Sequence, residues 1–150
     1  MSSVIKLIVI VCVVLVLDQG SKYLVRSGMH LGQSIDIVGN FFSLTYIENA
    51  GAAFGILANQ TVLFVILTVI ITVVLIAVYI RVNPRNALTG MALAIVIGGA
   101  LGNFIDRVGK GTVTDMFDFH FWPVFNIADI ALVVGLLYIA FRLIVNGEEF

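Results

Sequence analysis

The stretch that decides the fold is Thr61–Ile80, TVLFVILTVIITVVLIAVYI, followed by Arg81-Val82-Asn83-Pro84-Arg85-Asn86 and then Ala87–Ile105, ALTGMALAIVIGGALGNFI. A helix rises about 1.5 Å per residue, so about 20 apolar residues cross the hydrocarbon core of a bilayer. The polar link between the two runs contains Asn-Pro and breaks a helix. Two long apolar runs joined by a tight polar turn predict a hairpin of membrane-spanning helices. Working outward, Val4–Val25 and Phe125–Val145 have the same character, giving four predicted spans. The connections 26–60 and 106–124 are longer, and an even number of spans places both of them on one side and both termini on the other. Composition agrees: of 150 residues 61% are hydrophobic and only 11% charged, against about 25% charged in a soluble domain. A soluble enzyme, a disordered chain and a nucleic-acid binder are disfavoured, the last also by a net charge of −1, which steers no polyanion. The single Cys12 forms no intrachain disulfide and is too few for a cysteine metal site.

Sidedness follows from the basic residues. Lys6, Arg81, Arg85 and Arg142 lie at one face, and Arg26, Arg107 and Lys110 at the other, with Lys22 just inside the membrane. The two arginines of the tight turn favour cytoplasmic termini. The N-terminal run is like a signal peptide but lacks an A-x-A cleavage site, and Asp18 and Lys22 follow at once, so an uncleaved first span is expected. Within the first long connection, residues 35–47 are rich in strand formers with partial alternation and predict a small sheet on the membrane surface. Met116–Pro123 alternates aromatic and polar residues, as an interfacial anchor does.

Ionisable groups in a span cost about 2.5–3.5 kcal/mol each on insertion scales, so their positions are informative. Asp18 and Lys22 are four apart and share a helix face. Asn103 and Arg107 are also four apart, with Asp106 beside them. Asn126 and Asp129 stand at the start of the last span, Asp115 in the second long connection and Asn49 in the first. The four-span topology gathers all of them at one membrane face. Each also has an ordinary reading. Asp18 and Lys22 can be an ion pair that eases insertion. Gly98 and Gly102 have the G-x-x-x-G spacing of close helix packing, and Gly99, a turn before Asn103, lets a ligand or a helix approach. Asn126 with Asp129 has the form of a helix N-cap and its acidic partner. Asp115 alone is an ordinary loop aspartate, and Asp118 and His120 read as solvated interface residues.

Elimination narrows the chemistry. No H-E-x-x-H zinc motif and no G-x-x-x-x-G-K-[ST] phosphate loop is present, and Ser21 and Ser43 have no histidine in a recognised motif. Carboxylates remain. Two aspartates brought together share one proton, so that one serves as base toward water while the other serves as acid.

The blocks Asp18-Gln19-Gly20-Ser21-Lys22, Asn49-Ala50-Gly51-Ala52-Ala53-Phe54-Gly55, Gly98–Arg107, Val113-Thr114-Asp115 and Phe125-Asn126-Ile127-Ala128-Asp129 resemble, in order and spacing, those of bacterial lipoprotein signal peptidases (signal peptidase II). The resemblance covers about residues 5–145. It departs from the pattern at Met116, where an aromatic residue often follows, and in the short link from Asp115 to Asn126. It implies an all-α membrane protein: a four-transmembrane-helix bundle with a small extracytoplasmic β-sheet and an interfacial loop, one peptidase domain over 1–150. It implies an aspartic endopeptidase of the bacterial inner membrane that cuts prolipoproteins on the amino side of a diacylglyceryl-modified cysteine. The catalytic pair maps onto Asp115 and Asp129, and Asp18, Lys22, Asn49, Gly99, Asn103, Asp106, Arg107, Asn126 and Ala128 match positions that bind substrate or support the site. No cofactor or metal is expected. The implied partners are the lipid-modified prolipoprotein signal peptide, membrane lipids and a globomycin-type inhibitor, and the expected state is a monomer. Two other classes compete: a small four-span proton-coupled transporter, and a metal-dependent lipid transferase with Asp115, Asp118 and Asp129 as ligands.

Overall fold

The structure is a computed structural model describing residues 3–51, 60–82 and 86–146. Asn83-Pro84-Arg85 of the predicted turn and Ala52–Gly55 of the second sequence block lie outside the described residues. Four helices, α1 (Ser3–Gly28), α2 (Thr61–Val82), α3 (Ala87–Lys110) and α4 (Ile127–Asn146), correspond to the predicted spans. All four are long and apolar enough to cross a membrane. α3 runs past the predicted end at Ile105 because its last turns find polar partners inside the protein. It stops where Gly111, at φ 81°, turns left-handed and gives its N–H to the Arg107 carbonyl. The helix ends are tied in antiparallel fashion. The Tyr79 hydroxyl donates to the Ser3 carbonyl (2.9 Å) and the Thr61 hydroxyl to the Gly111 carbonyl (2.8 Å).

α3 is the central helix, packed on α1, α4 and α2. Lipid tails are as apolar as leucine, so close backbone approach rather than hydrophobic burial holds such helices together. The glycines permit that approach. A Cβ on Gly98 would come within 2.8 Å of the Val14 Cβ, one on Gly102 within 2.5 Å of the Asp18 carboxylate and one on Gly99 within 2.6 Å of the Ala128 carbonyl. The G-x-x-x-G pair therefore seats α1, and the group that approaches Gly99 is helix α4. Leu7, Tyr79, Leu93, Ala94 and Ile97 form the apolar core, while Val16, Val62 and Ile144 point outward.

The sheet is antiparallel with order β1-β2-β3, where β1 is Ser34–Val38, β2 Phe42–Asn49 and β3 Val113–Asp118. The first two strands fall where the sequence predicts them, joined through Gly39 at φ 46°. The third does not: Met116-Phe117-Asp118, the start of the segment read as an interfacial anchor, is strand. A short segment that mixes apolar and polar residues satisfies either reading, and only pairing with β2 decides. The register sets Asp115 against Ile47, Thr114 against Glu48 and Val113 against Asn49. Beyond β3, Phe119 stacks on Phe125 at 5.9 Å and tilts against Phe42 at 4.9 Å, which folds the short link back to the start of α4. Phe121 and Trp122 stay exposed. Asp118 and His120 are not simply solvated. Thr45 donates to Asp118 (3.0 Å), and the His120 Nε2 lies 3.0 Å from the Ser43 hydroxyl, so Ser43 does have a histidine neighbour.

Two glycines test this packing. Gly99→Ala must push α4 away and lowers the stability of the detergent-solubilised protein by about 1–3 kcal/mol. Gly20→Ala, with nothing within 4 Å of the new Cβ, leaves stability unchanged or raises it by up to about 1 kcal/mol. Equal melting temperatures for the two variants would contradict the close approach.

Candidate active site

Asp115 sits in the middle of β3 and Asp129 in the first turn of α4. The helix start explains part of the geometry. The Asn126 Oδ1 accepts the Asp129 N–H (2.9 Å), and the Asn126 N–H donates to the Asp129 Oδ2 (3.1 Å). This is a reciprocal cap, so the cap reading of these two residues holds. The same asparagine also reaches outward. Its Nδ2 donates to the Asp115 Oδ1 at 2.6 Å and to the Asn103 Oδ1 at 3.1 Å. Asn126 therefore bonds to both acids at once. The two remaining carboxylate oxygens are also held: Asn49 Nδ2 donates to Asp115 Oδ2 (3.0 Å), and Asn103 Nδ2 to Asp129 Oδ1 (2.8 Å). Burial, and next the negative charge of Asp129, push the Asp115 carboxyl up to about 7, against the bonds from Asn49 and Asn126 and the charge of Lys22.

Beneath the acids lies a buried ionic cluster. The Lys22 ammonium, completely buried, contacts Asp18 Oδ2 at 2.9 Å, Asp106 Oδ2 at 3.1 Å and Asn103 Oδ1 at 3.0 Å. It donates to Asp18 and Asn103 and forms a further ion pair with Asp106. Asp18 gives its other oxygen to the Ala128 N–H (3.0 Å), one of the N–H groups at a helix start that has no partner within the helix. Asp106 accepts the Thr114 N–H (3.1 Å) beside Asp115. Lys22 thus links α1 to α3, and through its two aspartates to α4 and β3.

Both acids face one cavity of about 500 Å³, enclosed by Thr68, Ile71 and Leu75 of α2, by Asn103 and Arg107 of α3 and by Leu132, Val133 and Leu136 of α4. Asn49 and Gly51 line it as well, and Trp122 to Phe125 close one side. Its wall is mostly apolar. Arg107 stacks over Phe64 at 4.8 Å and donates to the Gly51 carbonyl (3.4 Å), so a cation stands at the cavity wall.

The structure therefore brings together the residues that the family resemblance marks as site residues, in three groups. Asp115, Asp129, Asn49, Asn103 and Arg107 line the cavity. Asn126 lies between the two acids. Asp18, Lys22, Asp106, Gly99 and Ala128 support it from behind. Asp118 does not line the cavity, and no group of three His, Cys, Asp or Glu side chains arranged to hold a metal ion occurs among the described residues. Two supporting residues escaped the sequence reading. Gln19 Nε2 donates to Asp18 and to the Gly102 carbonyl, both at 3.0 Å. Arg26 meets Asp106 at 3.5 Å and Thr114 at 3.3 Å. The signal for Arg26 was present: Asp18, Lys22 and Arg26 recur every four residues on one helix stripe.

Lys22→Met leaves the buried Asp18 carboxylate without a cation and Asp106 with Arg26 alone, and destabilises the protein by about 3–5 kcal/mol, read from unfolding in detergent. A pH dependence also follows. Because the folded-state affinity of Asp115 for its proton is raised, its contribution to stability is complete below about pH 4 and is lost as pH rises to about 7. Wild-type protein should lose more stability between pH 5 and 8 than Asp115→Asn, and parallel losses would refute the burial argument.

A family model described as signal peptidase (SPase) II matches residues 10–145. A lipoprotein signal peptidase of Moorella thermoacetica is 43% identical over 136 residues, covering 91% of each chain. That of Caldanaerobacter subterraneus subsp. tengcongensis is 46% identical over 141 residues, covering 93% of this chain and 97% of the relative. A bacterial membrane enzyme solved by the in meso method superposes with a TM-score of 0.87 at 35% identity, over 96% of this chain and 92% of that one. The agreement extends over nearly the whole sequence and the whole fold, and the chain belongs to the signal peptidase II family.

Proposed function

We propose that this aspartic peptidase removes the signal peptide from diacylglyceryl-modified prolipoproteins, cutting on the amino side of the lipidated cysteine, with Asp115 and Asp129 as the catalytic pair. The observation that carries the reading is two carboxylates bonded to one asparagine at the wall of a largely apolar cavity. A peptide bond needs a base to activate water and an acid to protonate the nitrogen that leaves, and two such carboxylates share the single proton this requires. One ionised aspartate takes a proton from water, whose oxygen attacks the scissile carbonyl. The protonated partner donates to the carbonyl oxygen. As the tetrahedral intermediate collapses, the C–N bond breaks and a proton passes to the amine. Asn126, bonded to both acids, keeps them in register. Asn103 and Arg107 are placed to meet substrate carbonyls or lipid esters, and Asp18, Lys22 and Asp106 hold the frame.

The whole chain, 1–150, acts as one domain, a monomer in the bacterial inner membrane with both termini cytoplasmic and the acids near the extracytoplasmic face. The signal helix enters between α2 and α4 along Ile71, Leu75, Val133 and Leu136, leaving the lipid tails in the bilayer, and a globomycin-type inhibitor occupies the same cavity. A proton-coupled transporter gains no support, since the relatives are named as peptidases.

Asp115→Asn and Asp129→Asn should each lower turnover of lipidated prolipoprotein at least about 10³-fold, and near wild-type cleavage by either variant refutes the pair. Substrate lacking the diacylglyceryl group should not be cut, and equal cleavage of both substrates refutes lipid dependence. The rate should fall on an alkaline limb as the pair loses its shared proton, with neutral pH as its starting point, given Asp115 at about 7.

A further inference from the structure

On the sheet face turned away from the acids, one carboxylate collects the polar side chains of three elements. Glu48 accepts from Lys110 at the end of α3 through both oxygens (2.7 and 2.8 Å), from Thr112 (2.6 Å), from Thr114 of β3 (3.0 Å) and from Tyr46 of its own strand (2.9 Å). Lys110 also donates to Thr114. Burial alone would raise the Glu48 carboxyl, but donation from Lys110, Thr112 and Tyr46 outweighs it and holds the group below its ordinary value, so it stays ionised at working pH.

Position gives this cluster its consequence. Glu48 and Thr114 are direct cross-strand partners, and each immediately neighbours a residue of the site, Asn49 on one strand and Asp115 on the other. Successive side chains of a strand point to opposite faces. The clamp on one face therefore fixes the register at which Asn49 Nδ2 meets Asp115 Oδ2 on the other. Asn49 is the last residue of β2, and a register irregularity between Leu44 and Ile47 separates the pairs Ile47–Asp115, Glu48–Thr114 and Asn49–Val113 from the rest of the ladder, so the side-chain clamp reinforces a short paired segment at this end.

We infer that Glu48 is a positioning residue for the peptidase reaction: by fastening β2 to β3 and to the end of α3 it holds Asn49 against Asp115. This rests on Asp115 being one of the catalytic acids. A donor to a carboxylate favours its charged form, so loosening Asn49 makes Asp115 hold its proton to higher pH. Glu48→Gln should therefore move the alkaline limb of the kcat/KM profile to higher pH and lower kcat about 10-fold.

The test measures pH profiles and melting temperatures of Glu48→Gln, Lys110→Gln, Asn49→Ala and the double variant Glu48→Gln/Asn49→Ala with lipidated prolipoprotein, alongside Asp115→Asn. Three results support the inference: an alkaline shift in Glu48→Gln, a smaller one in Lys110→Gln, and a double variant no different from Asn49→Ala alone. A lower melting temperature with an unmoved limb, or effects of Glu48 and Asn49 that multiply independently, overturns it. Retained activity of Asp115→Asn would instead refute the catalytic pair, whatever the Glu48 profiles show.

Discussion

The structure depends on one buried cation. A lysine ammonium taken out of water is tolerated only if it is paired and hydrogen-bonded. Lys22 meets that demand with Asp18, Asp106 and Asn103, and each of these acceptors then does something else. Asp18 binds the Ala128 N–H at the start of α4, Asp106 binds the Thr114 N–H next to Asp115, and Asn103 binds Asp129. The requirement to neutralise one charge thus fixes the relative placement of α1, α3, β3 and α4. It does so at the end of the bundle where the cavity lies.

A second constraint acts at the same place. The start of α4 has N–H groups with no partner within the helix. Asn126 and Asp129 satisfy two of the exposed groups in a reciprocal cap, and Asp18 from another helix satisfies a third. A helix terminus in a bilayer must be capped by protein or water, and here the cap is built from the residues of the site. Structure and chemistry are not divided between different residues: Asn126 caps a helix with its oxygen and orients Asp115 with its nitrogen.

The four spans could be read from hydropathy alone, because the length and apolarity needed to cross a bilayer are local properties. Their helical extents differ from the sequence reading where side chains found internal partners, as at Asp106 and Arg107, which continue α3. β1 and β2 were legible from strand formers. β3 was not, since Val113–Asp118 is short and its second half belongs to the segment Met116–Pro123, whose pattern reads as an interfacial anchor. The spacing of Asp18 with Lys22, and of Asn103 with Arg107, revealed shared helix faces. The role of Glu48 could not be found that way, because a glutamate in a loop rich in strand formers carries no signal until Lys110, Thr112 and Thr114 are placed around it.

What the sequence determined by itself was the solvent, the four apolar spans and the gathering of the polar residues at one end of them. Each of these follows from transfer energies summed along the chain. Only the tertiary structure decided which polar groups bond to which. The Asp18 contact to Ala128 spans 110 residues, the Asn49 contact to Asp115 spans 66 and the Asn103 contact to Asp129 spans 26. Hydrogen bonds require positions within a few tenths of an ångström, and that registration is set by glycine-mediated helix contacts and strand pairing, neither of which is encoded at any single position.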